Sequence, residues 1–214
     1  MNQSHADIFR DYYYTDRGKL YKSFDIKIGS FQEKYDIYWG EPEIIFDDNT
    51  RKYSFPLAVR VLPTRLHTPN PRIFVHDELT QEHRAVFELV VAHEIGHLWL
   101  DDVVGITRPT ADFYVDAIRA EAWADYFAFC FFRKYRDLVD IETFCTIMKD
   151  AVRIQSQLYN RETAVNLKGM DEKISELKSL HQSIKDGLAA KNPVFCQISD
   201  AIKITLNAIG DMFT

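Results

Sequence analysis

Val90-Val91-Ala92-His93-Glu94-Ile95-Gly96-His97-Leu98-Trp99-Leu100 is the stretch whose reading decides the fold. Ionisable side chains rarely interrupt so apolar a run, because burying a charge without a partner is costly. Here His93, Glu94 and His97 do so together. At helical pitch, residues four apart share a face, so the two imidazoles project side by side. Glu94 lies about 100° round the helix from His93, within reach of a water held by both rings. This is the HExxH spacing, in which two histidines bind zinc and the glutamate is the general base. A helix whose histidines are merely satisfied core residues is the bland alternative. The rest of the donor set decides between them.

A catalytic zinc takes a third protein ligand and keeps a position for water. The longer pattern HExxHxxGxxH is excluded, since Leu100 stands where its glycine belongs and Val103 where its third histidine belongs. The other source is a glutamate on a following helix. Glu121-Ala122-Trp123-Ala124-Asp125 fits, 24 positions after His97, which leaves room for a turn and a returning helix. Glu121 and Asp125 are four apart and share a face with Tyr114, Ala117 and Ala128. Alanines beside a carboxylate let two helices come close, as a ligand bridging them requires. Asp125, one turn along, is placed to accept a hydrogen bond from the outer nitrogen of a ligating histidine. Such a contact fixes the tautomer and raises ligand basicity. The plain alternatives are an exposed charge for Glu121, and a helix-cap contact or pairing with Arg119 for Asp125.

Length and composition set the frame. The 214 residues fit one large domain, or one domain with an appendage, and suffice for a substantial core. A net charge of -6 argues against broad nucleic-acid binding, which wants a basic surface. Cys130, Cys145 and Cys196 are odd in number and far apart, so neither a disulfide framework nor a cysteine zinc site is expected. The N-terminus lacks the basic-then-apolar order of a signal peptide. No run approaches the ~18 apolar residues of a spanning helix. The expectation is a cytoplasmic protein without a membrane partner.

The stretches flanking the motif change character twice. Residues 1–17 hold a weak helical signal around Ile8 and Phe9. Phe24, Ile26 and Ile28 alternate with polar residues, a strand signal. Residues 43–46 and 52–55 flank Asp47-Asp48-Asn49-Thr50, a hairpin turn by composition. Leu57 to Leu62 extends the second arm, with Pro56 marking an edge or bulge. Arg72-Ile73-Phe74-Val75-His76 is one more strand, read as an edge that could hold extended substrate. Thr80 is the predicted N-cap of a helix ending near Leu100, apolar on nearly all sides and therefore buried. Asp101, Asp102, Gly105 and Pro109 form a loop, and a second helix spans roughly 111–136 behind Thr110. The remainder reads as helical. Ile174, Leu177, His181, Ile184 and Leu188 mark one face, and Val194, Ile198, Ile202, Leu206 and Ile209 another, with a break at Asn192-Pro193.

With both motifs in view, the sequence resembles the ImmA/IrrE family of zinc metallopeptidases. The resemblance runs through Ile73-Phe74-Val75, Leu79, residues 84–87, Ala92 to Leu98, and Glu121-Ala122-Trp123-Ala124-Asp125-Tyr126-Phe127-Ala128. It implies zinc ligands at His93, His97 and Glu121, the base at Glu94 and a supporting carboxylate at Asp125. It also implies a protein substrate, commonly a helix-turn-helix transcriptional repressor. The chain departs from the family where Asp101 and Asp102 stand in a region that often holds a histidine. Membrane-bound peptidases with a related second motif are disfavoured by the lack of spanning segments.

The expected fold is α+β: a zincin-like metal core, made of a small sheet, the HExxH helix and the Glu-bearing helix, with a helical C-terminal appendage. Residues 1–71 are the β-leaning part of the catalytic domain, 72–136 the metal core, and 137–214 the C-terminal extension. The expected activity is Zn2+-dependent hydrolysis of a specific protein partner by a gluzincin-type centre. A zinc-stabilised sensor or scaffold that binds a regulator without cutting it is the alternative, and Glu94 argues against it. Tyr114, Tyr126, His67 and His76 are the candidates for stabilising the oxyanion.

Overall fold

The computed structural model describes residues 19–28, 31–39, 45–47, 52–54, 57–61, 72–76, 79, 83–102, 113–138, 140–159, 163–211 and 213. Among the described residues six strands precede five helices: β1 (Lys19–Ile28), β2 (Phe31–Trp39), β3 (Ile45–Asp47), β4 (Lys52–Ser54), β5 (Ala58–Val61), β6 (Arg72–Val75), α1 (Arg84–Asp102), α2 (Phe113–Tyr135), α3 (Ile141–Leu158), α4 (Thr163–Ala189) and α5 (Pro193–Ile209). The fold is α+β, as expected. The helix anticipated in residues 1–17 and the caps anticipated at Thr80 and Thr110 lie outside the described residues.

β1 and β2 pair antiparallel, with Ile28 opposite Phe31. Only Gly29-Ser30 joins them, a length and composition suited to a tight hairpin. β2 continues into a four-stranded sheet of order β1-β2-β6-β5, while β3 and β4 form a separate antiparallel pair. Two expectations are corrected here. The segment from Leu57 does not prolong the β4 arm; β5 leaves that pair and runs antiparallel to β6. Pro56 explains the separation, since it has no N–H to continue a ladder. The strand at 72–75 is not an edge either. β6 sits between β2, parallel to it, and β5. Ile73, Phe74 and Val75 are all buried, as a strand covered on both faces must be. Among the described residues, β5 is the outer strand on that side of the sheet.

α1 runs two residues beyond Leu100, so Asp101 and Asp102 close the helix where a loop was predicted. Val86, Phe87, Leu89, Val91, Ala92, Ile95, Trp99 and Leu100 are buried round its circumference. α1 packs on β5 and β6 below, and on α2 and α3 at its sides. Trp99 meets Trp123 and Phe127 of α2, with ring centres 6.3 and 5.8 Å apart. Full burial of one such side chain is worth about 1.5–3 kcal/mol, which makes this aromatic layer the mechanical base of the helix pair.

α4 lies against α2 and α3, and α5 against α2, α4 and β1. Their apolar stripes are spent on these contacts: Ile174, Leu177, Ile184, Ile202, Leu206 and Ile209 are buried. Exposure is confined to the stripe ends, Leu188 at 36% and Val194 at 60%. His181 fits between Tyr126 and Phe129, ring centres 6.0 and 5.2 Å away. Asn192 caps α5 by accepting from the Val194 amide, with Pro193 in the first turn, where its missing N–H costs nothing.

One buried acid ties these layers together. Glu88, 2% exposed, accepts from Arg84 of its own helix and from Arg136 just past α2. Arg136 also donates to Asp211 at 2.8 and 3.0 Å, and Arg84 donates to the Phe213 carbonyl. Phe213 packs edge-on against Phe87 and Phe131. The three cysteines are free thiols. Among the described residues, no helix is long and apolar enough to cross a membrane.

Candidate metal centre

The site is built where α1 and α2 touch. Gly96 faces the Ala124 backbone so closely that an added Cβ would lie 2.7 Å from the Ala124 Cα and 2.9 Å from its carbonyl oxygen. Two small residues therefore set the helix separation, and the groups one turn away on each helix meet across it. His93 and His97 come from α1, Glu121 and Asp125 from α2.

The imidazole Nε2 atoms of His93 and His97 are 3.0 Å apart. Glu121 closes the triangle, with Oε2 3.5 Å from His93 Nε2 and Oε1 3.2 Å from His97 Nε2. The edge of a tetrahedron with bonds of ~2.0–2.1 Å is ~3.3 Å, so these spacings suit a four-coordinate ion. His93, His97 and Glu121 are the group of donors among the described residues close enough to hold a metal ion, all within 4.8 Å of one another.

Asp125 Oδ1 lies 2.7 Å from His93 Nδ1. An ionised Asp125 accepts the Nδ1 proton, which leaves the Nε2 lone pair directed at His97 and Glu121. A divalent ion among these donors would take up both lone pairs and the carboxylate charge, and without one a proton on His93 meets the same need. The electrostatics agree. Burial opposes charge on His93, yet Asp125, with Glu121 and Glu94, pushes it up to about 9. Burial likewise opposes the Glu121 charge, but the His97 hydrogen bond and the His93 and Lys173 charges hold it well below the usual carboxylate range. The residues thus fit a bound divalent ion chemically as well as geometrically. The centre opens outward, with the His93, His97 and Glu121 side chains 17%, 20% and 35% exposed.

Glu94, on the same helical turn, is near enough to His93 to act on its charge. Of the oxyanion candidates, Tyr126 turns into the aromatic layer, against Trp123, Phe129 and His181, and hydrogen-bonds Cys130. His76 packs edge-on against Tyr159. His67 and the Tyr114 side chain lie outside the described residues. Sequence reasoning missed two members of the site. Gly96 reads as a weak helix former, and only the structure shows it as the contact point. Lys173 of α4 donates to Glu121 Oε2 at 2.7 Å, bringing a cation from 52 residues downstream. It is one of many charges on α4, and no local spacing distinguishes it.

Residues 50–155 match the profile of the IrrE N-terminal-like domain, a metallopeptidase family designated M78. The match includes α1 and α2 whole, and with them every residue of the donor cluster. No curated protein and no solved structure matches the chain. A peptidase implies a protein or peptide substrate. Through residues 50–155, the chain belongs to the ImmA/IrrE family of peptidases.

Proposed function

We propose that the protein is a zinc-dependent metalloendopeptidase of gluzincin type, cytoplasmic, which cuts a specific protein partner, with a helix-turn-helix repressor the first class to test. The observation that carries this reading is the closed triangle of His93, His97 and Glu121, backed on its outer side by Asp125. In this reading residues 72–136 form a zincin-like core, residues 1–71 its β-rich flank and residues 137–214 a helical extension.

His93, His97 and Glu121 hold the ion, and Asp125 keeps His93 in the tautomer that presents Nε2. The chemistry a bound zinc supplies is acidification of a water and polarisation of the scissile carbonyl. Glu94 takes the proton from the attacking water and returns it to the nitrogen of the departing amine. The aromatic floor of Trp99, Trp123 and Phe127 keeps both helices in place while charge moves above it. Substrate in extended form has β5, rather than β6, as its nearest candidate for backbone pairing, because β6 is already paired on both sides.

The test combines metal content with a trap. Protein purified without added zinc should carry about one equivalent, and Glu121→Ala should lose it. Glu94→Gln should keep the metal and the fold, retain its partner in a pull-down, and cut it ~10²–10⁴-fold more slowly than the parent. Parent-rate cleavage by Glu94→Gln, or undiminished zinc in Glu121→Ala, would remove the corresponding role.

A further inference from the structure

The metal centre leaves the oxyanion of amide hydrolysis without an assigned donor, and α4 supplies a cation at its mouth. Lys173 Nζ lies 2.7 Å from Glu121 Oε2, and its side chain remains 44% exposed. Its charge is felt by three carboxylates at once, Glu121, Asp125 and Glu94. With both histidines neutral, those carboxylates sum to three negative charges. A divalent ion balances two, and the Lys173 ammonium balances the third. An ammonium has three N–H donors, and the contact with Glu121 uses one. The other two are not used by that contact, and the partly exposed side chain stands beside the outward-facing donors.

We propose that Lys173 is a catalytic residue of this centre, donating a hydrogen bond to the substrate carbonyl oxygen as it becomes an oxyanion. The inference rests on the peptidase reading above. Water oxygen bonds to the carbonyl carbon while one of its protons passes to Glu94, and the carbonyl π pair moves onto oxygen. Lys173 stabilises that charge and keeps its own proton. Collapse restores the C=O bond, the C–N bond breaks, and the amine leaves with the proton from Glu94. Because Glu121 anchors the ammonium beforehand, the donor is aimed before charge develops, which is how such donors lower a barrier. The helical extension thereby becomes part of the active site.

The experiment compares the parent chain with Lys173→Met, which keeps the stem and removes the charge, and with Lys173→Arg. Lys178→Met is the control, since Lys178 pairs with Glu142 away from the centre. Two readouts are taken at saturating zinc: turnover of a degenerate pool of internally quenched peptides, and binding of a pool of N-phosphoryl dipeptides, tetrahedral anions that imitate the adduct. Zinc affinity is measured separately by dye competition. Lys173→Met is expected to lose ~10²–10³-fold in kcat with KM little changed, and to weaken phosphoryl-dipeptide binding at least tenfold while still filling with zinc. Lys173→Arg should recover part of both, and Lys178→Met should match the parent. Parent-like kcat and anion binding in Lys173→Met overturn the proposal, as does a defect that excess zinc repairs, which would make Lys173 a support for Glu121 alone. Absence of zinc-dependent anion binding by the parent overturns it as well. The peptidase reading itself is judged by Glu94→Gln, so it stands or falls separately.

Discussion

Gly96→Ala places one methyl group at the point where the two helices carrying the candidate metal donors touch. Its carbon would stand 2.7 Å from the Ala124 Cα, 2.9 Å from the Ala124 oxygen and 3.2 Å from the Ala124 carbonyl carbon, against an ordinary contact of 3.4–4 Å. All three obstacles are backbone in the middle of α2, so no side chain can swing away. The helices must part by roughly 0.7–1 Å, and overpacking of this kind costs about 1–3 kcal/mol. The better helix propensity of alanine offsets about 1 kcal/mol of that. At ~2–4 °C per kcal/mol for a chain of this length, the metal-free variant should melt a few degrees below the parent. Metal binding should suffer more. Glu121 is one turn from Ala124 and retreats with it, whereas ligand distances tolerate only about ±0.2 Å. Zinc affinity should therefore fall at least tenfold. Gly169→Ala is the companion variant, because nothing lies within 4 Å of its Cβ position in α4. It should stabilise by about 0.5–1 kcal/mol and leave metal binding alone. Thermal unfolding without metal and dye-competition titration with zinc measure the two effects. A Gly96→Ala protein with parent melting temperature and parent zinc affinity would refute the reasoning.

Two further outcomes follow from the same centre. Asp125→Asn should weaken metal affinity or turnover by ~10-fold, the low end for loss of a carboxylate behind a histidine ligand, since the amide oxygen still accepts from His93 Nδ1; a loss as large as that of Glu121→Ala would make Asp125 a ligand instead. His93, pushed up to about 9 in the metal-free protein, is protonated at pH 7 and must be neutral to bind an ion. Zinc binding at pH 7 should release about one proton from this group, and the release should vanish above about pH 10, where His93 has already lost it. Calorimetry in buffers of differing ionisation enthalpy reads the number directly, and no proton release at pH 7 would contradict the His93 assignment.

What could be read beforehand follows from which features are local. His93, Glu94 and His97 announce themselves because three ionisable groups interrupt one apolar helix. Glu121 and Asp125 are legible because their spacing and their alanines describe a second helix that must come near. β2 carries a partial signal of its own, since Tyr35, Ile37 and Trp39 alternate with Lys34 and Asp36, while Glu33 and Tyr38 blur the pattern. The sheet order was not readable. Whether 72–75 is an edge depends on β5 turning back beside it, and only Pro56 hints that β4 and β5 part company. Glu88 looked like one more helical acid, and its burial depends on Arg136 and Asp211, which lie 48 and 123 positions further on. Lys173 is the extreme case. Its meaning comes wholly from where α4 is laid across α2.

The aromatic layer under α1 and α2 has a consequence for how the protein is governed. Trp99, Trp123, Phe127, Phe131 and Phe144 supply an apolar core that holds the two helices at their Gly96–Ala124 contact. A core built on apolar burial should fold without help from an ion, so folding and metal loading should be separate events, unlike in small zinc domains that fold only around their ion. A chain deprived of the proposed ion should therefore remain folded. On the zinc-peptidase reading proposed above, activity should follow the free zinc of the surroundings on the timescale of ion binding, without new synthesis or refolding.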